Sequence, residues 1–319
     1  MTSDKTFLML TASFISGIGP AKLKELSKIL LNEISNETEL YKILEYISSN
    51  SKRIRLTKDS FSNALAQAEK QTVLAKDQNI NIISSLDPQY PILIKKSSYD
   101  PSIIFNKGNI NNLNKRAVGV IGTRSPTNHG AIIAYRIAKY LAEHNISVIS
   151  GLALGCDSYG HKGALDANGH TVAVMAHGLD MVAPTQNKNL AEKILNNDGA
   201  LISTYPIGTK PSTYTFAARD KIQAGLSEMI VMVQSGLNGG SLIASSSILL
   251  DQRKLIIPEP TKTDKECNCE QIQANLVFIR KEFQKLKNFD SKKISPELLV
   301  NNITILHSKE EYEKIFGVK

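Results

Sequence analysis

The chain has 319 residues, 42% of them hydrophobic and only 6% aromatic, with a net charge of +8 from 38 basic and 30 acidic side chains. That is about two domains' worth of chain, with enough apolar material for a sizeable core. It excludes a disordered chain, a collagen-like repeat and a membrane protein, because no run approaches the roughly 18 apolar residues of a membrane span.

The N-terminus is too polar to read as a secretory signal. Three cysteines (Cys156, Cys267 and Cys269) imply no disulfide framework, and a cytoplasmic setting is expected. The basic excess is diffuse, at +4 over residues 1–115, +2 over 116–260 and +2 over 261–319. Charge alone therefore points to a solvated surface and marks no nucleic-acid face.

Residues 1–75 read as a small helical domain. Apolar residues recur at three and four around Leu23, Leu26, Ile29 and Leu30, again at Leu40, Ile43, Leu44 and Ile47, and again at Phe61, Ala64, Leu65 and Ala68. Gly17-Ile18-Gly19-Pro20 opens one of these helices. Such a turn can offer amides to a phosphate, but a tight corner between packed helices needs the same glycines. Residues 76–115 hold short apolar pieces broken by Pro and Gly, and are expected to be a connector lying on the next domain.

From Ala117 the pattern becomes strand–helix alternation. Strands are expected at Ala117–Ile121, Ser147–Ser150, Thr171–Ala176, Ala200–Ser203, Met229–Val233 and Lys254–Ile257. Helices fill the gaps at Ala131–His144, Ser158–Asn168, Asn187–Asn196, Phe216–Ala224 and Ser241–Asp251. Continuous apolar strands are those buried on both faces, and the alternation predicts an α/β fold with a doubly wound, mostly parallel sheet over residues 116–319. A charged insertion at 261–293 is expected to hold one helix, with Ile272, Leu276, Ile279 and Phe283 on a stripe. A last strand at Asn302–Leu306 and a helix at Ser308–Phe316 close the chain.

In such a sheet, ligands sit beyond the carboxyl ends of the strands. Small residues concentrate there, in Gly122-Thr123-Arg124, Ser150-Gly151 to Gly155-Cys156-Asp157, Ala176-His177-Gly178 and Gly236 to Gly240-Ser241. Together they suggest an anion-binding rim, with Arg124 able to fork onto a phosphate. Asp157 and His161 are spaced i, i+4. They could polarise a nucleophile, but a helix cap and an imidazole bonded to it is the reading adopted. Arg219-Asp220-Lys221 is either a phosphate clamp or an ordinary helix face. The dinucleotide fingerprint, the P-loop and a nucleophile elbow are absent, so no cofactor and no catalytic residue are assigned. Cys267 and Cys269 lack the second pair a metal site needs, and no metal is expected.

Ser150-Gly151-Leu152-Ala153-x-Gly155-x-Asp157-x-x-x-His161, with Thr171 to Pro184, Val118 to Arg124, Tyr205-Pro206 and Gly240 to Ile243, resembles the DNA processing protein A (DprA/Smf) family. The resemblance runs in order over residues 10–260 and 295–316. It implies an extended Rossmann-like domain preceded by a small helical domain of the SAM or helix-hairpin-helix type. It also implies a homodimer that binds single-stranded DNA and helps load a RecA-type recombinase in natural transformation, with no reaction of its own. DNA phosphates would meet Gly122, Thr123, Arg124, Ser150, Gly151, Gly155, Asp157, His161, Arg219, Lys221, Gly240 and Ser241.

The chain departs from the family pattern at Leu154, where an Arg is usual, and at Thr204, Asp220 and Glu259. The winged-helix domain of many members is expected to be missing. The alternative is a nucleotide-binding sensor of the same superfamily, in a regulatory or phage-defence setting.

Overall fold

The computed structural model describes residues 2–32 and 36–318. Four helices open the chain: α1 (Asp4–Ser13), α2 (Pro20–Asn32), α3 (Glu37–Ser49) and α4 (Lys58–Asp77). Each starts where a free helix-end amide can be satisfied or dispensed with. Ser3, Asn36 and Thr57 cap α1, α3 and α4 through their side chains, and Pro20 begins α2. Leu8, Leu26, Leu40, Leu44 and Phe61 merge with Ile82, Phe105, Met175 and Leu201 of the sheet into one buried cluster. Gln71 of α4 fixes this contact, accepting from Ile207 N at 2.8 Å and donating to Ile207 O at 3.1 Å.

Residues 76–115, expected as a connector lying on the sheet domain, instead enter the sheet. β1 (Asn81–Ser84) and β2 (Ile103–Gly108), with the one-turn α5 (Ile92–Lys95) between them, pair antiparallel. β2 also runs antiparallel to the strand Ala200–Ser203.

Strands and helices then alternate: β3 (Ala117–Ile121), α6 (Asn128–Glu143), β4 (Ser147–Ser150), α7 (Cys156–Asp166), β5 (Thr171–Met175), α8 (Lys188–Asn196), β6 (Ala200–Ser203), α9 (Thr213–Gly225), β7 (Met229–Met232), α10 (Ser241–Leu250) and β8 (Lys254–Pro258). The rest comprises α11 (Lys262–Glu266), α12 (Gln273–Arg280), α13 (Pro296–Asn301), β9 (Ile303–Leu306) and α14 (Tyr312–Phe316). Two helices begin a turn earlier than their apolar stripes indicate, because polar caps extend them. Thr127 accepts from Gly130 N ahead of α6, and Ser212 and Thr215 form a capping box ahead of α9.

Among the described residues, nine strands lie in the order β1-β2-β6-β5-β4-β3-β7-β8-β9, and every pair from β6 to β9 is parallel. Every residue of β3 and β5 is buried, as strands covered by helices on both faces must be. This is the expected α/β, Rossmann-like doubly wound sheet. The chain winds from β3 outward to β6, then crosses back to β7 on the other side of β3. The reversal opens a crevice beyond the carboxyl ends of β3 and β7.

The insertion differs from its expected single stripe. α12 ends at Arg280, because Lys281 takes a left-handed conformation with φ of 60°, so Phe283 falls outside it. Ile294 joins Ala274, Val277, Phe278, Leu286 and Phe289 in the core beside α10 and β8. Cys267 and Cys269 are bonded to each other, and Cys156 is free and buried. No helix among the described residues is long and apolar enough to cross a membrane.

Candidate functional site

The loops after β3, β4 and β7, with α9, enclose a crevice of about 580 Å³ at the switch point. Of the residues expected at a phosphate site, Gly122, Thr123, Arg124, Asp157, Arg219, Gly240 and Ser241 line it. Asp220 of the possible clamp and Asn238 of the glycine-rich loop line it too, as do Phe216 and Asn288, which sequence reasoning missed.

Arg124 is exposed at the mouth. Its Cζ lies 5.3 Å from the centroid of the Phe216 ring, within cation–π range. The loop that carries it is anchored by Thr123 N, which donates to Gln234 O at 2.8 Å, and by Cys156 N, which donates to Thr123 O at 3.1 Å.

Arg219 behaves differently. It is 5% exposed, and its Nη1 donates to Gly151 O at 2.5 Å and to Val174 O at 3.1 Å. Its Nε lies 3.0 Å from Asp220 Oδ1. The amide of Gln223, turned so that both its atoms find partners, accepts from Arg219 and from Gly151 N. The guanidinium is thus a strut joining α9 to β4 and β5, with its Nε and Nη1 donors used inside the protein.

Gly151 and Gly155 do not line the crevice; they are glycines because of what presses on them. A Cβ on Gly151 would sit 1.6 Å from Arg219 Nη1. Gly155 has φ of +79°, and a Cβ there would meet Thr123 O at 2.4 Å. Ser150 is spent in the same packing, donating to Val120 O at 2.7 Å.

Asp157 is not the cap of α7; Gly155 occupies that position. Its carboxylate turns back to accept from Gly151 N at 3.1 Å and Ala153 N at 3.3 Å, so the first turn of α7 already holds a negative group of its own. His161 does not bond to Asp157. Its Nδ1 pairs with Thr171 Oγ1 at 2.8 Å, and burial lowers its pKa to about 3, with the charge of Arg219 acting in the same direction. It is a neutral core group. The Cys156 thiol is pushed up to about 12, chiefly by burial, which leaves it no nucleophile at neutral pH.

Lys221 points the other way. Two residues along a helix are about 200° apart, and its Nζ lies 5.3 Å from the Tyr99 ring on the far side of α9. The loop after β5 also stays out. His177 is 1% exposed, its Nδ1 pairs with Gly178 O, and its Nε2 accepts from Ala183 N.

Two carboxylates therefore share the crevice with two guanidiniums. Burial raises the pKa of Asp157 against the pull of Arg219. It raises that of Asp220 to about 6, with Asp157 adding to the rise and Arg219 and Arg124 opposing it.

The insertion completes the crevice by holding the glycine-rich loop after β7. Buried Asn275 accepts from Ser235 N at 3.1 Å and donates to Val233 O at 2.9 Å and Pro258 O at 3.1 Å. Asn288 donates to Asn238 O at 2.7 Å. That loop delivers Gly240 and Ser241 to the start of α10, whose positive dipole end faces the crevice. Among the described residues, no group of three or more His, Cys, Asp or Glu side chains could hold a metal ion.

The family model of DNA recombination-mediator protein A matches residues 81–289, about two thirds of the chain and every loop lining the crevice. The chain belongs to this family.

Among the family's curated proteins, Protein Smf of Synechocystis sp. is 34% identical over 174 residues, 53% of this chain and 44% of that protein. DNA processing protein DprA of Bacillus subtilis is 34% identical over 181 residues, 56% of this chain and 61% of that protein. The chain spans about half the length of the curated relatives it matches. The crystal structure of DNA processing protein A from Streptococcus pneumoniae superposes with a TM-score of 0.70 at 24% identity, covering 89% of this chain and 97% of that one. DNA processing protein A from Helicobacter pylori, whose structure describes its single-stranded DNA binding mode, gives 0.52 at 22% identity, covering 65% and 97%. These two likenesses are of fold.

Proposed function

We propose that this chain is a single-stranded DNA-binding recombination mediator that grips the phosphate backbone at the switch-point crevice. The observation that carries the reading is the mouth of that crevice. There exposed Arg124 stands over Phe216, opposite the α10 start at Gly240 and Ser241. A guanidinium and a helix start suit phosphate oxygens, and an aromatic face suits a base. The single-stranded DNA binding described for the Helicobacter pylori family member supports the same assignment.

Gly122, Thr123, Arg124, Gly240 and Ser241 are proposed as the contact residues. Ser150, Gly151, Gly155, Asp157, His161 and Arg219 build the wall behind them. In this reading the protein acts in the cytoplasm as a homodimer, protects the strand and hands it to a RecA-type recombinase. The site is assigned no catalytic step.

Binding of oligo(dT) measured across a salt series tests the proposal. Affinity should fall steeply with salt, and Arg124→Ala should flatten the log–log slope by about 0.7 for one lost phosphate contact. An unchanged affinity and slope in Arg124→Ala would overturn the site. The balanced charge that Asp157 and Asp220 give the crevice favours a nucleotide sensor as the second reading. Saturable binding of a mononucleotide with no oligonucleotide binding would select it.

A further inference from the structure

A second concavity, of about 660 Å³, lies on the other side of α9, between that helix, the α1–α2 corner and residues 98–101. Its walls carry five aromatic side chains (Phe14, Tyr99, Phe105, Tyr205 and Tyr214) and two lysines (Lys24 and Lys221). Tyr214 is 79% exposed, a large apolar face left to solvent at the first turn of α9. Lys221 holds its Nζ 5.3 Å from the Tyr99 ring and, among the described residues, forms no salt bridge.

Among the described residues, Asp100 is the one carboxylate in the lining. It is buried, and turned inward to accept from Tyr90 Oη at 2.6 Å and Ser102 N at 2.9 Å. The surface offered to a ligand is therefore aromatic and cationic, the combination that suits a base and its phosphate.

The two concavities are joined by α9. Phe216 and Asp220 face the crevice, whereas Tyr214, Ala218 and Lys221 face the groove, so only the width of one helix separates them. The two aromatics flank the crest at its N-terminal end.

We propose that this groove is a second subsite for the same single strand. The strand would leave the crevice, cross the first turn of α9 beside Tyr214 and lay one or more bases against the tyrosines, with Lys24 and Lys221 on its phosphates. The inference rests on the reading of the crevice as a single-strand site and extends it, making affinity depend on strand length.

The test compares oligo(dT) of about 6 and about 15 nucleotides by fluorescence anisotropy. The proteins are the wild type, Arg124→Ala and the double variant Tyr214→Ala/Lys221→Gln. Arg124→Ala should weaken both lengths. The double variant should leave the short oligonucleotide within about twofold and weaken the long one by about 5- to 140-fold, the range set by one lost stacking contact.

The chain contains no tryptophan, so Tyr214→Trp supplies a single reporter. Its fluorescence should be quenched by the long oligonucleotide and not by the short one. If the double variant binds both lengths as the wild type does while Arg124→Ala is impaired, the groove proposal fails and the crevice reading stands. If the wild type binds neither length, both fail.

Discussion

Gly151→Ala isolates the role assigned to Arg219. Gly151 does not have a positive φ, so alanine is compatible with the backbone and the whole effect comes from what its methyl group meets. That methyl would lie 1.6 Å from Arg219 Nη1 and 2.3 Å from the side-chain amide of Gln223, and the guanidinium must move. Moving it breaks the bonds to Gly151 O and Val174 O, each charge-assisted and worth about 1.5–3 kcal/mol. It also separates buried Asp157 from the positive charge that offsets its burial. The expected loss is about 3–5 kcal/mol, read as a lowered urea midpoint at unchanged slope by circular dichroism. Arg219→Met removes the group that the methyl collides with. The double variant Gly151→Ala/Arg219→Met should therefore cost less than the sum of the two single changes. A Gly151→Ala protein within about 1 kcal/mol of wild type would refute the assignment of Arg219 as a strut.

The raised pKa of Asp220, about 6, makes both stability and binding depend on pH. The folded state holds this proton more tightly than the unfolded chain, so the group's contribution to stability is greatest below the unfolded value of about 4 and is lost as pH rises through 6. Protonation also removes a negative charge from the crevice. Oligonucleotide affinity should rise as pH falls from 7.5 to 5.5. Asp220→Asn should abolish the part of that rise due to Asp220 and tighten binding at pH 7.5 by about 5- to 30-fold, or 1–2 kcal/mol. An Asn variant with the wild-type pH profile would exclude Asp220 as the titrating group. Asn275→Ala removes three bonds at a buried position and should cost about 2–4 kcal/mol. It should also speed limited proteolysis within residues 235–241, and unchanged cleavage there would mean that the insertion does not hold the loop.

The central strands were legible in the sequence because a strand buried on both faces has no polar alternation, and Ala117–Ile121 reads as such. The loops after β3, β4 and β7 were legible because topology alone places them at one edge. The antiparallel strands β1 and β2 were not, since Pro91, Pro101 and Gly108 break their apolar runs and their pairing is set by distant β6. Within the site, glycine had two opposite meanings that sequence does not separate. Gly240 opens onto the crevice, whereas Gly151 and Gly155 are filled by neighbouring chain. The opposite facing of Arg219 and Lys221 was available from helix geometry. The inward turn of Arg219 was not, because its acceptors come from β4 and β5. The charged composition of 261–293 concealed a segment that buries Phe278, Leu286 and Phe289 and positions the glycine-rich loop.

Photocrosslinking with an oligonucleotide carrying 5-iododeoxyuridine, mapped by mass spectrometry to single residues, tests the single-strand assignment most directly. The account predicts an adduct at Phe216 that is lost at high salt and in Arg124→Ala. Adducts confined to residues outside the crevice and the α9 groove, with none at Phe216, would contradict it.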